Sequence, residues 1–244
     1  MKHLLTPFFL FFFAINGISA RGTSPRSAEA EQLLQCLTTI EGQKTLSGTM
    51  ACVNWNLNEA KWVHQHTGKW PAMNGFDYIH HPFSSKGGWI DYTNISEVRE
   101  WNCQGGVVCI MWHWNVPANK SGEDSFYWGT EVDKTTIDVR KIFDSESSEY
   151  KLMIKDIDQI ASYLKLLKEA NIPVLWRPLH EAGGMWFWWG ATLMRATNSG
   201  ASCTVVSKMQ VLTTSSGCGH NHQHGVSPTA MATDGILETT SWIS

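Results

Sequence analysis

Three ionisable side chains follow an apolar run in the second half of the chain. Arg177, His180 and Glu181 come just after Leu175 and Trp176, and the residues that follow are crowded with aromatic side chains. A carboxylic acid beside an aromatic wall can protonate a glycosidic oxygen while the rings hold a sugar. The alternative is a buried strand followed by a core aromatic cluster, since aromatic residues are most often core. Burying three ionisable groups without a function is costly, so the pattern favours a glycoside-cleaving site with Glu181 as its acid.

Two segments together resemble the bacterial β-mannanases of glycoside hydrolase family 26. The first reads W-R-P-L-H-E from Trp176 to Glu181 and continues through a Gly-rich turn to W-F-W-W-G, which ends at Gly190. The second reads W-H-W-N-V-P from Trp112 to Pro117. A weaker third match lies in the segments Gly42 to Gly48 and Asn54 to Asn56. The resemblance extends over roughly residues 30 to 190.

The resemblance implies roles for six residues. Glu181 is expected to be the general acid/base of a retaining mechanism, whose nucleophile in the family is a second Glu at the end of the seventh strand. No residue of this sequence matches that second Glu, and Glu238 is not expected to replace it. The other five residues are expected to bind the substrate: His113, Trp114, Arg177, His180 and Trp186. For the two histidines the alternative is a core position with satisfied hydrogen bonds, and Trp188 and Trp189 are expected to pack.

The activity implied by the resemblance is endo-acting hydrolysis of β-1,4-mannan or galactomannan. Two alternatives stay open. One is a non-catalytic glycan-binding protein that keeps the aromatic cleft, and the other is a family 26 enzyme for another β-glycan, such as β-1,3-xylan or mixed-linkage glucan. The implied partner is therefore a mannan-type polysaccharide, and a monomer with no cofactor and no metal site is expected.

Composition is consistent with a neutral polysaccharide ligand. The net charge is -3, whereas a nucleic-acid partner would favour a basic patch. The 244 residues include 13 Trp, whose flat apolar faces and single polar edge suit sugar C–H surfaces. Core packing explains some of them, but Trp55, Trp89 and Trp128 have loop-like contexts, and some of these tryptophans are expected to line a glycan cleft.

The elements that must position these residues alternate between helix and strand. Hydrophobic periodicity and capping residues predict helices over 28–40, 58–68, 95–102 and 154–170, and strands over 45–50, 71–76, 106–112 and 172–177. The polar stretch 117–149 is too long for an ordinary connection and is typical of a functional loop. This α/β pattern predicts a parallel sheet, and the resemblance implies a (β/α)8 TIM barrel of which about the first four units are present.

The N-terminus predicts export. Residues 1–20 have a polar start, an apolar stretch with five Phe and a small-residue cleavage site, as a signal peptide does. The mature protein is therefore expected to be secreted or periplasmic and to leave the membrane after cleavage, with residues 21–190 forming the N-terminal part of the catalytic domain. Cys36, Cys52, Cys103 and Cys109 are expected to be core thiols or to form one bridge.

Residues 191–244 are expected to be an aberrant or disordered tail. They are rich in Ser and Thr and show no helical or strand period, so no further barrel strand is predicted there and the edge of the fourth strand is expected to stay unpaired. Read in a shifted frame, 234–244 can encode a segment resembling W-Y-P-G-[ND]-x-x-V-D-I of the family. The hypothesis is a truncation or frame shift after about residue 190, which the coding DNA would test. His220, His222 and His224 are not expected to bind metal.

Overall fold

The structure is a computed structural model, which describes residues 27–84, 90–138, 140–141, 144–190, 231–233 and 236–238. The predicted signal peptide, Trp89 and the His220 to His224 segment lie outside these residues.

Helices and strands alternate as the periodicity predicts. The helices are α1 (Ala28–Ile40), α2 (Asn58–Thr67), α3 (Ser96–Cys103) and α4 (Ser148–Glu169). The strands are β1 (Gly48–Met50), β2 (Met73–Asp77), β3 (Val107–Met111), β4 (Val116–Pro117), β5 (Asp124–Ser125), β6 (Val174–Arg177), β7 (Met231–Thr233) and β8 (Ile236–Glu238). Short 3₁₀ turns span His81–Phe83 and Ala182–Gly184.

Local chemistry fixes where the helices begin and end. The hydroxyl of Ser27 accepts a hydrogen bond from the amide of Ala30 at 3.2 Å and starts α1, and Ser147 does the same for Tyr150 at 3.0 Å at the start of α4. Gly68 ends α2 with a φ of 70°, a left-handed conformation that glycine adopts without strain. The chain direction is thereby reversed before β2.

The main sheet has the strand order β1-β2-β3-β6-β8-β7, and its first four strands are parallel. The register aligns Asp77 with Met111, and Met111 with Arg177, so three neighbouring strands end at one edge. The predicted α/β class is confirmed, with α2, α3 and α4 each crossing over between parallel strands. Within the predicted loop 117–149, β4 and β5 form a separate antiparallel ribbon.

The expectation of an unpaired fourth strand is wrong. Strand β8 pairs in parallel with β6, with Trp176 opposite Glu238, and β7 pairs antiparallel with β8. An apolar edge strand presents a row of free backbone N–H and C=O groups, and a short Ile-Leu segment from 236–238 satisfies that row. The segment lacks the alternating pattern of a long strand, which is why periodicity did not reveal it.

The two faces of the sheet carry different cores. Val108, Ile110, Val174 and Trp176 belong to the large cluster that packs against the crossover helices, and Phe76 joins them. Side chains alternate along a strand, so the other set faces the opposite way, toward the interior of the expected barrel. There Cys109 and Leu175 are covered by partly buried residues that include three leucines of α1: Leu33, Leu34 and Leu37.

The four described cysteines are all unpaired and differ in burial. Cys36, Cys52, Cys103 and Cys109 are all free thiols, so the expected bridge among them is not formed. Only Cys109 is buried, while Cys36 and Cys103 are exposed on helix surfaces, so the core-thiol alternative holds for one residue of the four. Among the described residues, no helix combines the length and the hydropathy needed to cross a membrane.

Candidate active site

The site lies where β2, β3 and β6 end. Asp77 is the last residue of β2, His113 follows β3 by two residues, and His180 and Glu181 follow β6. The carboxyl ends of parallel strands meet at one edge of a sheet, and this is the edge at which barrel enzymes place their reacting groups. The geometry brings both predicted histidines and the predicted acid to this edge.

Glu181 is held in a sparsely populated backbone conformation. Its φ is 55° and it is exposed, and Met185 four residues later also has a positive φ, of 60°. Non-glycine residues in this region cost free energy and occur most often at functional sites. The amide of Gly184 donates to the carbonyl of Glu181 at 3.0 Å and closes the turn that presents the carboxylate.

The indole of Trp186 is the hydrogen-bond partner of this carboxylate. Its Nε1 donates to Oε2 of Glu181 at 3.2 Å, while the ring is 49% exposed. The ring lies close over Gly184, where an added Cβ would overlap it. An open aromatic face therefore sits beside an open carboxyl group, which is the arrangement expected around a sugar whose glycosidic oxygen is to be protonated.

Behind Glu181 the two predicted histidines contact each other. Nε2 of His180 lies 3.1 Å from Nε2 of His113, and the two rings meet edge to face with centroids 4.3 Å apart. Asp77 holds the second ring, because its Oδ1 accepts from the backbone amide of His113 at 3.0 Å and its Oδ2 contacts Nδ1 of the same residue. The sequence analysis did not single out Asp77. An acidic residue at the end of an apolar strand was the available signal.

The environment keeps His180 neutral at ordinary pH. Burial, followed by the neighbouring imidazole of His113 and by Arg177, lowers its pKa to about 4, although the carboxylates of Asp77 and Glu181 act in the opposite direction. The side chain is 8% exposed, which is why loss of solvation dominates. His180 can therefore orient a ligand but does not carry a charge near neutrality.

The side chain of Arg177 contacts the end of the neighbouring strand β3. It is half-buried at the end of β6, and its Nη1 donates to the sulfur of Met111 at 3.2 Å. This contact neither supports nor contradicts the expected role of Arg177 in substrate binding, which stays a prediction.

Trp114 does not face the cleft. It is fully buried, stacks on Trp112 with centroids 4.1 Å apart, and donates from Nε1 to Oδ2 of Asp156 at 2.9 Å. Its carbonyl accepts from Nε1 of Trp188 at 2.7 Å. The expected sugar contact of Trp114 therefore stays a prediction. In this structure the ring lies in the core beneath the site, and the neighbouring Asn115 donates to the backbone carbonyl of Ile79 at 2.6 Å.

The long polar loop packs along the aromatic run, as a functional loop would. The amide of Trp128 donates to the carbonyl of Trp186 at 2.8 Å, and the amide of Trp188 donates to the carbonyl of Phe126 at 3.1 Å. Tyr127 is 47% exposed and its ring stacks on Phe187. Tyr127 thus adds a second open aromatic surface next to Trp186 that the sequence analysis missed.

Two other tryptophans expected in a glycan cleft differ from each other. Trp55 is 3% exposed, donates from Nε1 to the carbonyl of Asp77 at 2.9 Å, and is one of the tryptophans that pack in the core. Trp128 is half-buried beside the aromatic run. Within the part of the chain that the structure describes, no cluster of three metal-binding side chains occurs.

Comparison with known proteins gives the same family as the motifs. The sequence profile of Glycosyl hydrolase family 26 matches residues 23–204. The chain is 40% identical over 167 residues to a mannan endo-1,4-beta-mannosidase of Thermothelomyces thermophilus, an alignment that covers 67% of this chain and 34% of the relative. It is 30% identical over 214 residues to a mannan endo-1,4-beta-mannosidase of Bacillus subtilis, with 78% of this chain and 56% of the relative covered.

Solved structures that resemble this chain include members of the same family. A GH26-CBM35 beta-(1,4)-mannanase of Podospora anserina matches with a TM-score of 0.63 and 31% identity, over 78% of this chain and 41% of that one. The GH26 domain of a Prevotella bryantii endo-beta-mannanase/endo-beta-glucanase matches with a TM-score of 0.60 and 33% identity, over 72% of this chain and 61% of that one. The chain thus spans about a third to three-fifths of these relatives. Because the family profile covers most of its length, the chain belongs to glycosyl hydrolase family 26.

Proposed function

We propose that this chain carries the acid/base half of a retaining endo-β-1,4-mannanase site, with Glu181 as the proton donor. The observation that carries the proposal is the exposed carboxyl of Glu181, hydrogen-bonded at 3.2 Å to the half-exposed indole of Trp186 at the carboxyl end of β6. An acid beside an aromatic platform can protonate the leaving oxygen of a sugar held on that platform. Mannan is the proposed substrate because the relatives named above are mannan endo-1,4-beta-mannosidases.

Several neighbouring groups support the same role. His113 and His180 lie behind Glu181 and present ring nitrogens to the strand edge, and Tyr127 extends the aromatic surface beyond Trp186. Aromatic faces and hydrogen-bonding ring nitrogens suit a neutral polysaccharide. We propose that His113, His180 and Trp186 bind the sugar next to the scissile bond, and that Arg177 supports the strand edge from which Glu181 projects.

We further propose that the 244-residue chain turns over little mannan by itself. A retaining glycosidase needs a second carboxylate as nucleophile, about 5 Å from the acid, to form the covalent intermediate. Within the described residues, the carboxylate brought closest to the histidine pair is that of Asp77, and it is engaged by His113. Glu238 lies on the strand beside β6, opposite Trp176, and is the residue to test as an unexpected nucleophile.

The test compares the chain with a version whose reading frame after about residue 190 is restored from the coding DNA. We expect the restored version to release short mannooligosaccharides from mannan, and Glu181→Gln to reduce that release by roughly 10³-fold. The unaltered chain should show orders of magnitude less turnover. Xylan and cellulose run in parallel would reveal a different substrate if either is cut in place of mannan.

Glu238→Gln in the unaltered chain is the matched control. If the unaltered chain hydrolyses mannan as fast as the restored version, and Glu238→Gln abolishes that activity, the nucleophile has been misplaced. Binding of mannooligosaccharides with no turnover by either version, unchanged by Glu181→Gln, would instead favour the non-catalytic glycan-binding protein.

A further inference from the structure

The feature that the proposed reaction leaves unexplained is the fixed order of hydrogen bonds from Asp77 through His113 to His180. Asp77 receives both the backbone amide and Nδ1 of His113, and Nε2 of His113 lies 3.1 Å from Nε2 of His180. The three residues come from three neighbouring strand ends and have no other polar contact between them. The order of donors and acceptors along this chain can be worked out from chemistry alone.

An ionised carboxylate only accepts hydrogen bonds, so Nδ1 of His113 must carry the hydrogen that points at Asp77. When the His113 ring holds only this one hydrogen, its other nitrogen is bare and Nε2 of His113 is an acceptor. The facing Nε2 of His180 must therefore carry a hydrogen and donate it. One carboxylate thus fixes the position of two hydrogens, on two rings.

The remaining nitrogen of His180 agrees with this order. Its Nδ1 is buried and has no hydrogen-bond partner among the described residues. If Nε2 of His180 were the acceptor instead, Nδ1 would carry a buried hydrogen with nothing to receive it, which costs more than a bare nitrogen in an aromatic environment. Phe187 and Trp189 surround the ring, with centroids at 5.6 and 5.8 Å.

We propose that Asp77 is a positioning residue that fixes the hydrogens of His113 and His180, so that Nε2 of His180 donates directly to Nε2 of His113 and the two rings are held together beside Glu181. At 3.1 Å the two nitrogens are in direct hydrogen-bond contact, so no water or hydroxyl lies between them. A sugar then meets a histidine pair whose orientation is already set. The hydrogen positions follow from the contacts alone, and the link to sugar binding rests on the proposed function.

The order of hydrogens is measurable without any activity. In the full chain labelled with ¹⁵N histidine, long-range ¹H–¹⁵N correlation spectra at pH 7 should show His113 with its hydrogen on Nδ1 and His180 with its hydrogen on Nε2. His180→Gln assigns the two rings. A wild-type spectrum with His113 carrying its hydrogen on Nε2 overturns the proposal, and this reading requires no variant to fold.

Asp77→Asn tests the cause. If its amide replaces Oδ2, it presents N–H groups to Nδ1 of His113, so we expect the hydrogen of that ring to move to Nε2. Asp156→Asn is the matched control, because Asp156 is also a buried carboxylate beside a histidine, at 3.4 Å from Nε2 of His81, but does not contact His113. Unchanged His113 signals in Asp77→Asn, or the same change in Asp156→Asn, would show that Asp77 does not set the tautomer.

Binding of mannotetraose separates this inference from the proposed function. We expect the sugar to bind at least about tenfold more weakly to Asp77→Asn than to the wild type, because the histidine pair then loses its fixed orientation. If the wild-type tautomers are as stated but mannotetraose does not bind, the proposed function fails while the hydrogen order stands. If mannotetraose binds both proteins equally well, Asp77 does not position a sugar-binding group.

Discussion

Trp186 and Trp188 are two residues apart in the sequence and belong to two different regions of the molecule. Trp186 is 49% exposed and its N–H is bound to Glu181, whereas Trp188 and its neighbour Trp189 are fully buried and their N–H groups bind backbone carbonyls. The indole N–H thus binds the carboxylate of Glu181 at the exposed rim, which Trp186 forms, and backbone carbonyls in the buried floor, which Trp188 and Trp189 form. The same residue type, in one run, therefore builds an exposed surface and the support beneath it.

The largest effect on stability is expected for Trp188, which lies in the buried floor. Trp188→Ala should lower the free energy of unfolding by about 3–5 kcal/mol, since it opens a cavity under Trp114 and leaves a buried carbonyl without its donor. Urea unfolding followed by circular dichroism measures this. Trp186→Ala is the matched control on the rim and should change stability by less than about 1 kcal/mol. Equal losses for the two variants would erase the distinction between rim and floor.

The second effect is a pH dependence of stability. The unfolded chain has a histidine pKa near 6.5, whereas burial and His113 lower the pKa of His180 to about 4 in the fold. The unfolded state therefore binds the proton first as pH falls. The stability that the neutral ring contributes is complete above about pH 6.5 and is lost toward pH 4, by up to about 3 kcal/mol.

Four groups face this ring and enter the same balance, namely Asp77, His113, Arg177 and Glu181. The measurement is urea unfolding at pH 7, 5.5 and 4.5 for the wild type and for His180→Gln. The variant should lose the part of the pH slope that His180 contributes. A slope that is the same in both proteins would mean that His180 is not the group responsible.

A smaller effect is expected at the turn that links floor and rim. A Cβ at Gly184 would overlap the ring of Trp186, which is exposed and free to move, so Gly184→Ala should cost less than about 1 kcal/mol in stability. The ring must move, however, and its hydrogen bond to Glu181 should be lost. The indole ¹H–¹⁵N signal of Trp186 would report this by shifting toward its solvent-exposed position, and an unchanged signal would contradict the assigned contact.

The smallest effect separates the two properties of the rim tryptophan. Trp186→Phe keeps an aromatic face but removes the N–H that binds Glu181, whereas Trp186→Ala removes both. We expect Trp186→Phe to weaken mannotetraose binding only slightly and Trp186→Ala to weaken it by roughly three- to tenfold. Calorimetric titration would measure both, and equal weakening by the two variants would show that the hydrogen bond matters more than the ring.

Sequence reasoning worked best where one local period decides the structure. The apolar spacing in 28–40 predicts α1 with its observed bounds, and the N-terminal extension of α4 to Ser148 follows from a serine cap that the apolar spacing alone did not include. Strand β8 was missed because its pairing depends on the free edge of β6 and not on a pattern of its own.

At the site, motifs predicted the residue set better than the orientations. Glu181, His113 and His180 are brought to one edge by strands that are distant in sequence, as the parallel pattern predicts. The burial of Trp114 and Trp55 could not be read from their polar neighbours, because Asn115 and Asn56 hydrogen-bond the backbone. Asp77 was missed because a single acidic residue at a strand end is a weak signal until the partner strand is placed beside it.

The separation of the site residues along the chain has a consequence for how the protein is made. His113 is 36 residues from Asp77 and 67 residues from His180, and Trp188 is 74 residues from the carbonyl of Trp114 that it binds. Each doubling of a closed loop costs only about 0.6 kcal/mol, so these separations weigh little in the final stability. They affect the order of folding during synthesis instead, because the first three strands and α4 leave the ribosome before Trp188 and Trp189, which complete the floor. Until Trp188 is synthesised, Trp114 lacks one of the rings that pack against it, and we expect this interval to be when the nascent chain most needs protection from aggregation.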